Sequence, residues 1–353
     1  MATRQQFINA AGLAPPQAFF LLATGHYVSH AIYCAATLGI GDLLASSARS
    51  YADLAAATKT HAPSLNRLLR LLASAGVLEE QDDGRFALTP IGEFLRSDIP
   101  ESRRAVALLF AGPNMHRTWS ELLYSVQSGE VAFDHVFGMN GFQYLSLHPE
   151  AAAIFNQAMT AATQQTAGAV AAAYDFSSFK TLADIGGGHG ILLTTILKAN
   201  PALRGILFDL PHVAESATSQ IEASGVADRC EVLGGDFFTQ APAGADAYII
   251  KSVIHDWNDE QSLVILRNCH RAMPPEGKLL LVEVILPERV EPSPFNQIIV
   301  GSDVNMLVNI GGRERTDAEF GALLDSAGFK LTRIIPTQAL SRIIEAERRQ
   351  EQS

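Results

Sequence analysis

The stretch Thr181-Leu182-Ala183-Asp184-Ile185-Gly186-Gly187-Gly188-His189-Gly190, followed by Ile191–Ala199, decides the fold class. Its first residues form a short apolar run of the kind that fills a buried strand, and Ile191–Ala199 carries helical spacing. Between them, glycines let the backbone turn tightly and approach a ligand closely, because no Cβ stands in the way. The spacing is Gly-x-Gly-x-Gly. It departs from the Gly-x-Gly-x-x-Gly that cradles a dinucleotide pyrophosphate, so a dehydrogenase is disfavoured. Taken alone, a glycine loop between a strand and a helix is a weak signal.

The residues downstream strengthen it. Gly205–Asp209 reads as a second strand with a carboxylate at its tip, placed to accept the ribose hydroxyls of an adenosine ligand. Cys230–Asp236, followed by Phe237-Phe238, reads as a third, whose tip offers Asp236 to an adenine amino group and Phe237 to its ring face. Asp246–Val253 is a fourth and delivers Ile254-His255-Asp256-Trp257-Asn258-Asp259. Lys278–Leu286 is a fifth, after a Pro-Pro-Glu-Gly turn, and Lys330–Ile335 with Ser341–Glu345 reads as a terminal hairpin. Strands alternating with amphipathic helices predict an α/β, Rossmann-like, doubly wound sheet of seven strands, the last antiparallel. Three successive strand tips with matching chemistry place a ligand over the carboxyl ends of that sheet.

The N-terminal half has another character. Ser50–Ala55 reads as a capped short helix, His61-Ala62-Pro63-Ser64 as a break, and Leu65, Leu68, Leu69, Leu72 and Leu78 as a second helix and its exit. Val77–Glu80, Asp82-Asp83-Gly84 and Arg85–Leu88 follow as strand, turn and strand. Two helices and a β-wing make a mainly α winged helix. The wing invites a DNA-binding interpretation. The second helix offers mainly Arg67 and Arg70 to a phosphate backbone, however, so a scaffold role is favoured. Phe19–Leu44 is apolar almost throughout, and a helix apolar all round must be covered on several sides. A second subunit is the expected cover, which makes this half a dimerisation domain. The expected division is 1–115 for the winged-helix domain, 116–173 for a helical linker contributing to an acceptor pocket, and 174–353 for the ligand-binding domain.

Composition narrows the function. The 353 residues are 48% hydrophobic and 18% charged, enough to bury large cores. A formal charge of -11 repels nucleic acid. The three cysteines, Cys34, Cys230 and Cys269, show neither disulfide nor zinc spacing. Met1–Ala10 lacks the pattern of a signal peptide, no apolar run suits a bilayer, and the expected location is cytoplasmic. The tail Glu345–Ser353 is charged and expected to fray.

Asp184–Gly190, Phe208-Asp209-Leu210-Pro211, Gly235-Asp236-Phe237-Phe238, His255-Asp256-Trp257 and Gly311-Gly312-Arg313-Glu314-Arg315-Thr316 together closely resemble the small-molecule O-methyltransferases. That family includes the caffeic acid, hydroxyindole and polyketide- or phenazine-tailoring enzymes. The resemblance covers nearly the whole chain, since the winged-helix half matches that family's dimerisation domain. It implies S-adenosylmethionine as cofactor, S-adenosylhomocysteine as its product, an aromatic small molecule as acceptor, and a homodimer formed through the N-terminal domain; no metal is expected, since no cluster of acids in the sequence resembles a catechol-clamping magnesium site. The implied cofactor-binding set is Asp184, Gly186, Gly188, Asp209, Leu210, Asp236, Phe237, Lys251 and Trp257. Within it, Gly186 and Gly188 approach the methionine part and Lys251 sits beside the cofactor. His255 is implied as general base, flanked by Glu283 and Glu314. Phe155, Met159, Met306 and Asn309 match acceptor-pocket positions, although Met306–Gly311 is one residue shorter than in the plant enzymes. His116, just before Trp119, is a further acceptor-pocket candidate, with an ordinary helix position as the alternative.

The chemistry suits those residue types. A phenol has a pKa of about 10 and is mostly protonated at neutral pH, so an oxygen nucleophile needs a base. A histidine accepts that proton, and a carboxylate on its other ring nitrogen fixes the tautomer. For Glu314 the competing interpretation is a surface ion pair with Arg313 or Arg315. Two alternatives at the level of the whole protein remain open here: a cofactor-sensing winged-helix regulator, and a family member that binds the cofactor without transferring its methyl group.

Overall fold

The computed structural model describes residues Gly12–Arg349, in two compact units. Met1–Ala10 and the last residues of the tail lie outside the described range. The first unit holds the residues up to Glu121 together with Phe142–Ala162, and the second holds Leu122–Gly141 and Thr163 onward.

The N-terminal unit begins with helices α1 (Pro15–Ala23), α2 (His26–Leu38) and α3 (Ile40–Leu44). The apolar stretch Phe19–Leu44 is therefore three helices. The α2–α3 break falls at Gly39, whose left-handed φ of +67° ends one helix and starts the next. Nothing on α1 is buried by this chain, and Phe19, Phe20 and Leu22 stand exposed, whereas α2 buries Ala31, Ala35 and Ala36. Next come β1 (Arg49–Ser50), α4 (Tyr51–Thr58), α5 (Ala62–Ser74), β2 (Leu78–Glu80) and β3 (Arg85–Leu88). Ser50 caps α4 by accepting the Asp53 N–H, as its sequence signature requires. The wing is a three-stranded antiparallel sheet in the order β1-β3-β2, so the two-residue β1 adds to the expected pair. Leu54, Leu65, Leu69, Leu72, Leu78 and Phe86 close the core beneath it.

Helices α6 (Arg104–Phe110), α7 (Pro113–Ser120), α8 (Leu122–Ser128), α9 (Ala132–Phe137), α10 (Gly141–Leu147) and α11 (Pro149–Ala173) follow. On α11 the fully buried positions are Ala158, Ala167 and Val170; Phe155 and Met159 are half-buried and Ala162 is exposed. Among the described residues, no helix is long and apolar enough to cross a membrane.

The second unit is built on β4 (Thr181–Ile185), β5 (Arg204–Asp209), β6 (Cys230–Gly234), β7 (Ala247–Lys251) and β8 (Lys278–Glu283). Two short strands, β9 (Ile285–Leu286) and β10 (Arg315–Thr316), and the hairpin β11 (Phe329–Pro336) and β12 (Arg342–Arg348) complete it. The seven-stranded sheet runs β11-β12-β8-β7-β4-β5-β6. β4 to β8 pair in parallel, and β12 runs antiparallel to both neighbours, as expected for the last strand. Leu279 and Leu281 face one core while Leu280 and Val282 face the other, the period-two alternation of a sheet covered on both sides. Helices α14 (Asp259–Ala272) and α16 (Asp317–Ser326) cover the first face. Helices α12 (Ile191–Ala199), α13 (Pro211–Ser224) and the end of α11 cover the second. The remaining helix, α15 (Pro294–Asn309), lies in sequence between β9 and β10.

Two details depart from expectation. The fifth strand is interrupted at Val284. Beyond it, β9 leaves the main sheet and pairs in parallel with β10, matching Ile285 to Arg315 and Leu286 to Thr316. The tail does not fray from Glu345: β12 continues to Arg348, and Glu345 is 2% exposed. Its carboxylate accepts hydrogen bonds from Tyr174 at 2.6 Å, Thr332 at 2.7 Å, Arg333 at 2.8 Å and Lys278 at 3.2 Å. A charge run reads as solvated only when its partners, distant in sequence, are unseen.

Candidate active site

Strand order reverses between β4 and β7, and ligands of open α/β sheets bind outside the strand ends at such a switch point. The glycine loop leaves β4 there. An added Cβ at Gly187 would lie 2.4 Å from Leu207 and 2.7 Å from the Asp184 carboxylate, so the loop packs down on the sheet only because it lacks side chains. Above Gly188 (φ +58°) there is open space. Asp209, at the tip of β5, accepts the Gly188 N–H at 2.8 Å and the Leu210 N–H at 2.7 Å. Asp184 is 1% exposed, and its Oδ2 has no hydrogen-bond partner. Burial, reinforced by the Asp209 charge, pushes its carboxyl up to about 7.

Asp236 lies two residues beyond β6, where Oδ1 accepts the Phe238 N–H at 2.8 Å. Phe237 is held by Asn268, which donates to its carbonyl at 2.6 Å, and its ring reaches within 3.5 Å of a Cβ position on Gly186. Trp257 packs edge-on against Phe238 and Phe237, at 4.7 and 6.2 Å between centroids. Lys251 ends β7 and donates to Thr163 at 3.2 Å; burial lowers its pKa although Glu283, Asp184 and Asp256 pull the other way. Space above Gly188, an acid at the next strand tip and a ring beside Gly186 fit an adenosine-bearing group.

The next strand ends carry a titratable cluster. His255 sits in a short 3-10 turn, Ile254–Asp256, and its side chain is 16% exposed. Nδ1 lies 3.1 Å from Glu314 Oε1 and 3.7 Å from Glu283 Oε2, while Nε2 lies 3.5 Å from Asp256 Oδ1. Glu283 is fully buried at the end of β8; its Oε1 accepts the Val253 and Ile254 N–H groups at 3.1 and 2.9 Å. Those two bonds fix the carboxylate beneath the turn. Glu314 Oε1 also accepts the Ser302 hydroxyl at 2.7 Å, and the Glu314 N–H donates to Asp303 at 2.9 Å. Burial opposes charge on the imidazole, but Glu283, Asp256 and Glu314 outweigh it and raise His255 to about 10. Burial raises Glu283 to about 7 and Asp256 to about 6, against the pull of His255.

The ion-pair alternative for Glu314 is not what its neighbours adopt. Arg313 pairs with Glu319 and Arg315 with Asp259, leaving Glu314 to face His255. Met306 and Asn309 are nearly buried on α15, where Asn309 donates to Asn305 Oδ1 at 2.9 Å. His116, Phe155 and Met159 belong to the N-terminal unit, in which His116 stacks on His30 at 3.8 Å. Asp256, Ser302, Asp303 and Arg315 join the cluster without having been singled out for it in the sequence. Asp256 was visible beside His255; the other three lie far from it along the chain.

Comparison with known proteins agrees with this geometry. The family model of the O-methyltransferase domain matches residues 119–330, and that of the O-methyltransferase dimerisation domain matches residues 20–98. The chain is 47% identical over 339 residues to a phenazine O-methyltransferase of Lysobacter antibioticus, covering 96% of this chain and 98% of that protein. It superposes on the structure of a mitomycin 7-O-methyltransferase with a TM-score of 0.88 at 40% identity, over 96% of this chain and 99% of the other. Human N-acetylserotonin methyltransferase, solved in complex with S-adenosylmethionine, gives a TM-score of 0.86 at 26% identity, over 96% and 99% of the two chains.

Proposed function

The chain belongs to the S-adenosylmethionine-dependent small-molecule O-methyltransferases, and on that premise we propose that it methylates a hydroxyl of an aromatic small molecule with His255 as general base. The observation that supports the base assignment is the placement of the His255 imidazole beside the cofactor-side strand ends, with Nδ1 on two buried glutamates, so that Nε2, 3.5 Å from Asp256, is the nitrogen we assign to the acceptor's proton.

S-adenosylmethionine supplies a methyl group on a sulfonium, which needs no further activation. The protein must align the partners and free the acceptor oxygen of its proton. Asp209 would bind the ribose hydroxyls, Asp236 and Phe237 would take the adenine, and Gly186 and Gly188 would lie along the methionine part. Asp184, Leu210, Lys251 and Trp257 we assign to the same cofactor site, Asp184 from beneath the glycine loop. His255 Nε2 takes the acceptor's proton as the oxygen attacks, and Nδ1–H points at Glu314 and Glu283, which stabilise the resulting imidazolium. A base whose pKa is raised above the ordinary histidine value by the surrounding carboxylates lies closer to that of a phenol, which favours the transfer. Met306 and Asn309 are the acceptor contacts we assign on α15.

We assign the exposed apolar face of α1 to a homodimer contact, supported by Phe19, Phe20 and Leu22 and by the dimerisation-domain match. The winged helix is taken as scaffold, since Arg70 on its second helix is engaged by Glu80 at 3.1 Å. Three free cysteines fit a reducing, cytoplasmic setting.

The test is incubation with methyl-labelled S-adenosylmethionine and a panel of phenols, naphthols and hydroxylated heteroaromatics. A methyl ether found by mass spectrometry supports the assignment. Binding of the cofactor with no transfer to any hydroxyl, or transfer only to nitrogen, overturns it.

A further inference from the structure

Arg315 is the largest fully buried side chain among the described residues, at 1% exposure. A guanidinium so placed is costly unless its donors are all matched. Nη1 donates to the carbonyls of Ile254 at 3.1 Å and Arg313 at 3.4 Å. Nη2 donates to the Trp257 carbonyl at 3.0 Å, Asp259 at 2.7 Å and Ser262 at 3.3 Å, and Nε donates to Asp259 at 3.0 Å. Ile254 and Trp257 are the residues on either side of His255-Asp256. One rigid, planar fork therefore fixes both ends of the turn that carries the imidazole.

The backbone around Arg315 secures the rest of the cluster. The Arg313 N–H donates to the His255 carbonyl at 2.8 Å, Glu314 contacts Nδ1, and Arg315 pairs in register with Ile285, two residues past Glu283. Packing alone does not call for a cation here. Its one anionic partner, Asp259, is itself 58% exposed. Asp259 and Ser262 lie in the first turn of α14, the positive end of the helix dipole, where a cation is disfavoured. Apolar residues of similar volume often serve a core as well as a buried ion pair.

We propose that Arg315 is a positioning residue for methyl transfer, its guanidinium holding the His255 turn in register with Glu314 and Glu283. This rests on His255 being the base. The charged groups around that imidazole are Glu283 from β8, Glu314 before β10, Asp256 in its own turn and Lys251 at the end of β7, with Asp303 on α15 holding the Glu314 backbone. When the turn slips, the carboxylates lose their grip on the Nδ1 proton.

Arg315→Gln and Arg315→Lys in the full chain test this. The readouts are kcat, KM, cofactor Kd, melting temperature and the His255 titration, followed by NMR of labelled histidine and assigned against His255→Gln. In Arg315→Gln, kcat should fall roughly a hundredfold, the cost of an approximately 1 Å misplacement, with cofactor Kd little changed. The His255 titration should move to lower pH. Arg315→Lys keeps the charge without the fork and should recover only part of the rate. Asp259→Asn keeps the carbonyl contacts, and should lower the melting temperature while leaving the titration in place. A His255 titration unchanged in folded Arg315→Lys overturns the proposal. So does a rate that falls only with the folded fraction, or an Asp259→Asn titration that moves as far as that of Arg315→Lys. The NMR readout needs no turnover, so an inactive wild-type protein would count against the base assignment alone.

Discussion

Glu314 Oε1 stands 3.1 Å from His255 Nδ1 and accepts the Ser302 hydroxyl at 2.7 Å, so one oxygen ties the imidazole to α15. The ring lies between this acid, Glu283 and Asp256, and its proton is held more tightly than that of a free histidine. A base acts in its neutral form. With the pKa raised from 6.5 to about 10, that form is scarce at neutral pH and grows as pH rises. We expect kcat/KM to climb from neutral pH into the alkaline range. Glu283→Gln keeps an acceptor for the Val253 and Ile254 N–H groups but removes a charge. It should move the limb to lower pH by about one unit or more. A limb near 6.5 in the wild type, or one unmoved in Glu283→Gln, would count against the electrostatic account.

If His255 is the base, removing it separates binding from chemistry. In His255→Ala, kcat should fall by about 10²- to 10⁴-fold while cofactor Kd, measured by calorimetry, stays nearly constant. Asp209→Ala should do the reverse, weakening the cofactor by about tenfold or more through loss of charged hydrogen bonds, with kcat at saturation largely kept. Parallel losses in both parameters for both variants would merge the two sites that the geometry separates.

Gly312 lies against the turn that carries His255. A Cβ there would stand 2.0 Å from the His255 carbonyl oxygen and 2.5 Å from the Asp256 carbonyl carbon. Gly312→Ala must push the turn and the Arg313 N–H that bonds it apart. We expect at least a hundredfold loss of kcat, as roughly 1 Å of displacement costs, with cofactor binding retained. Near-normal turnover would show that the turn yields without consequence.

Glu345 should matter for stability and not for rate. Glu345→Ala takes the carboxylate from Tyr174, Arg333 and Lys278, while Thr332 keeps the residue's backbone carbonyl, and should cost on the order of 2–3 kcal/mol in denaturant unfolding, with kcat unchanged. Burial works against its charge, but Arg333, Tyr174, Thr332 and Lys278 hold the carboxyl down at about 2 against an ordinary 4.5. Its folded pKa is depressed, so its contribution is complete above 4.5 and disappears as pH falls toward 2. Wild type and Glu345→Ala should therefore converge in stability across that window. A difference that persists at pH 2 would assign the effect to packing.

The sequence made legible whatever repeats locally. The glycine loop, the strand tip ending in Asp209, His255 just past the end of β7, and the Ser50 cap are short-range patterns, and each appears at its expected place. The contacts that aim the imidazole are not of that kind. Arg315 reaches Ile254 across 61 positions, and Ser302 reaches Glu314 across an intervening turn. Arg313 and Arg315 look like partners for the acid between them. In extended backbone, however, adjacent side chains point to opposite faces, so Glu314 turns away from both neighbours. Exposed α1 illustrates the complementary limit: composition says a face must be covered, and is silent on what covers it.

The small β9–β10 ladder stitches together two chain segments that bracket α15. Everything from Pro294 to Asn309 is thereby an insertion hung between fixed seams, with Ser302 and Asp303 facing the seam and Met306 and Asn309 further along. On the proposed assignment of Met306 and Asn309 to the acceptor, the helix's far end can vary while the groups around His255 stay put. Changes at 306 or 309 should redirect choice of acceptor, whereas changes at 302 or 303 should slow every acceptor alike.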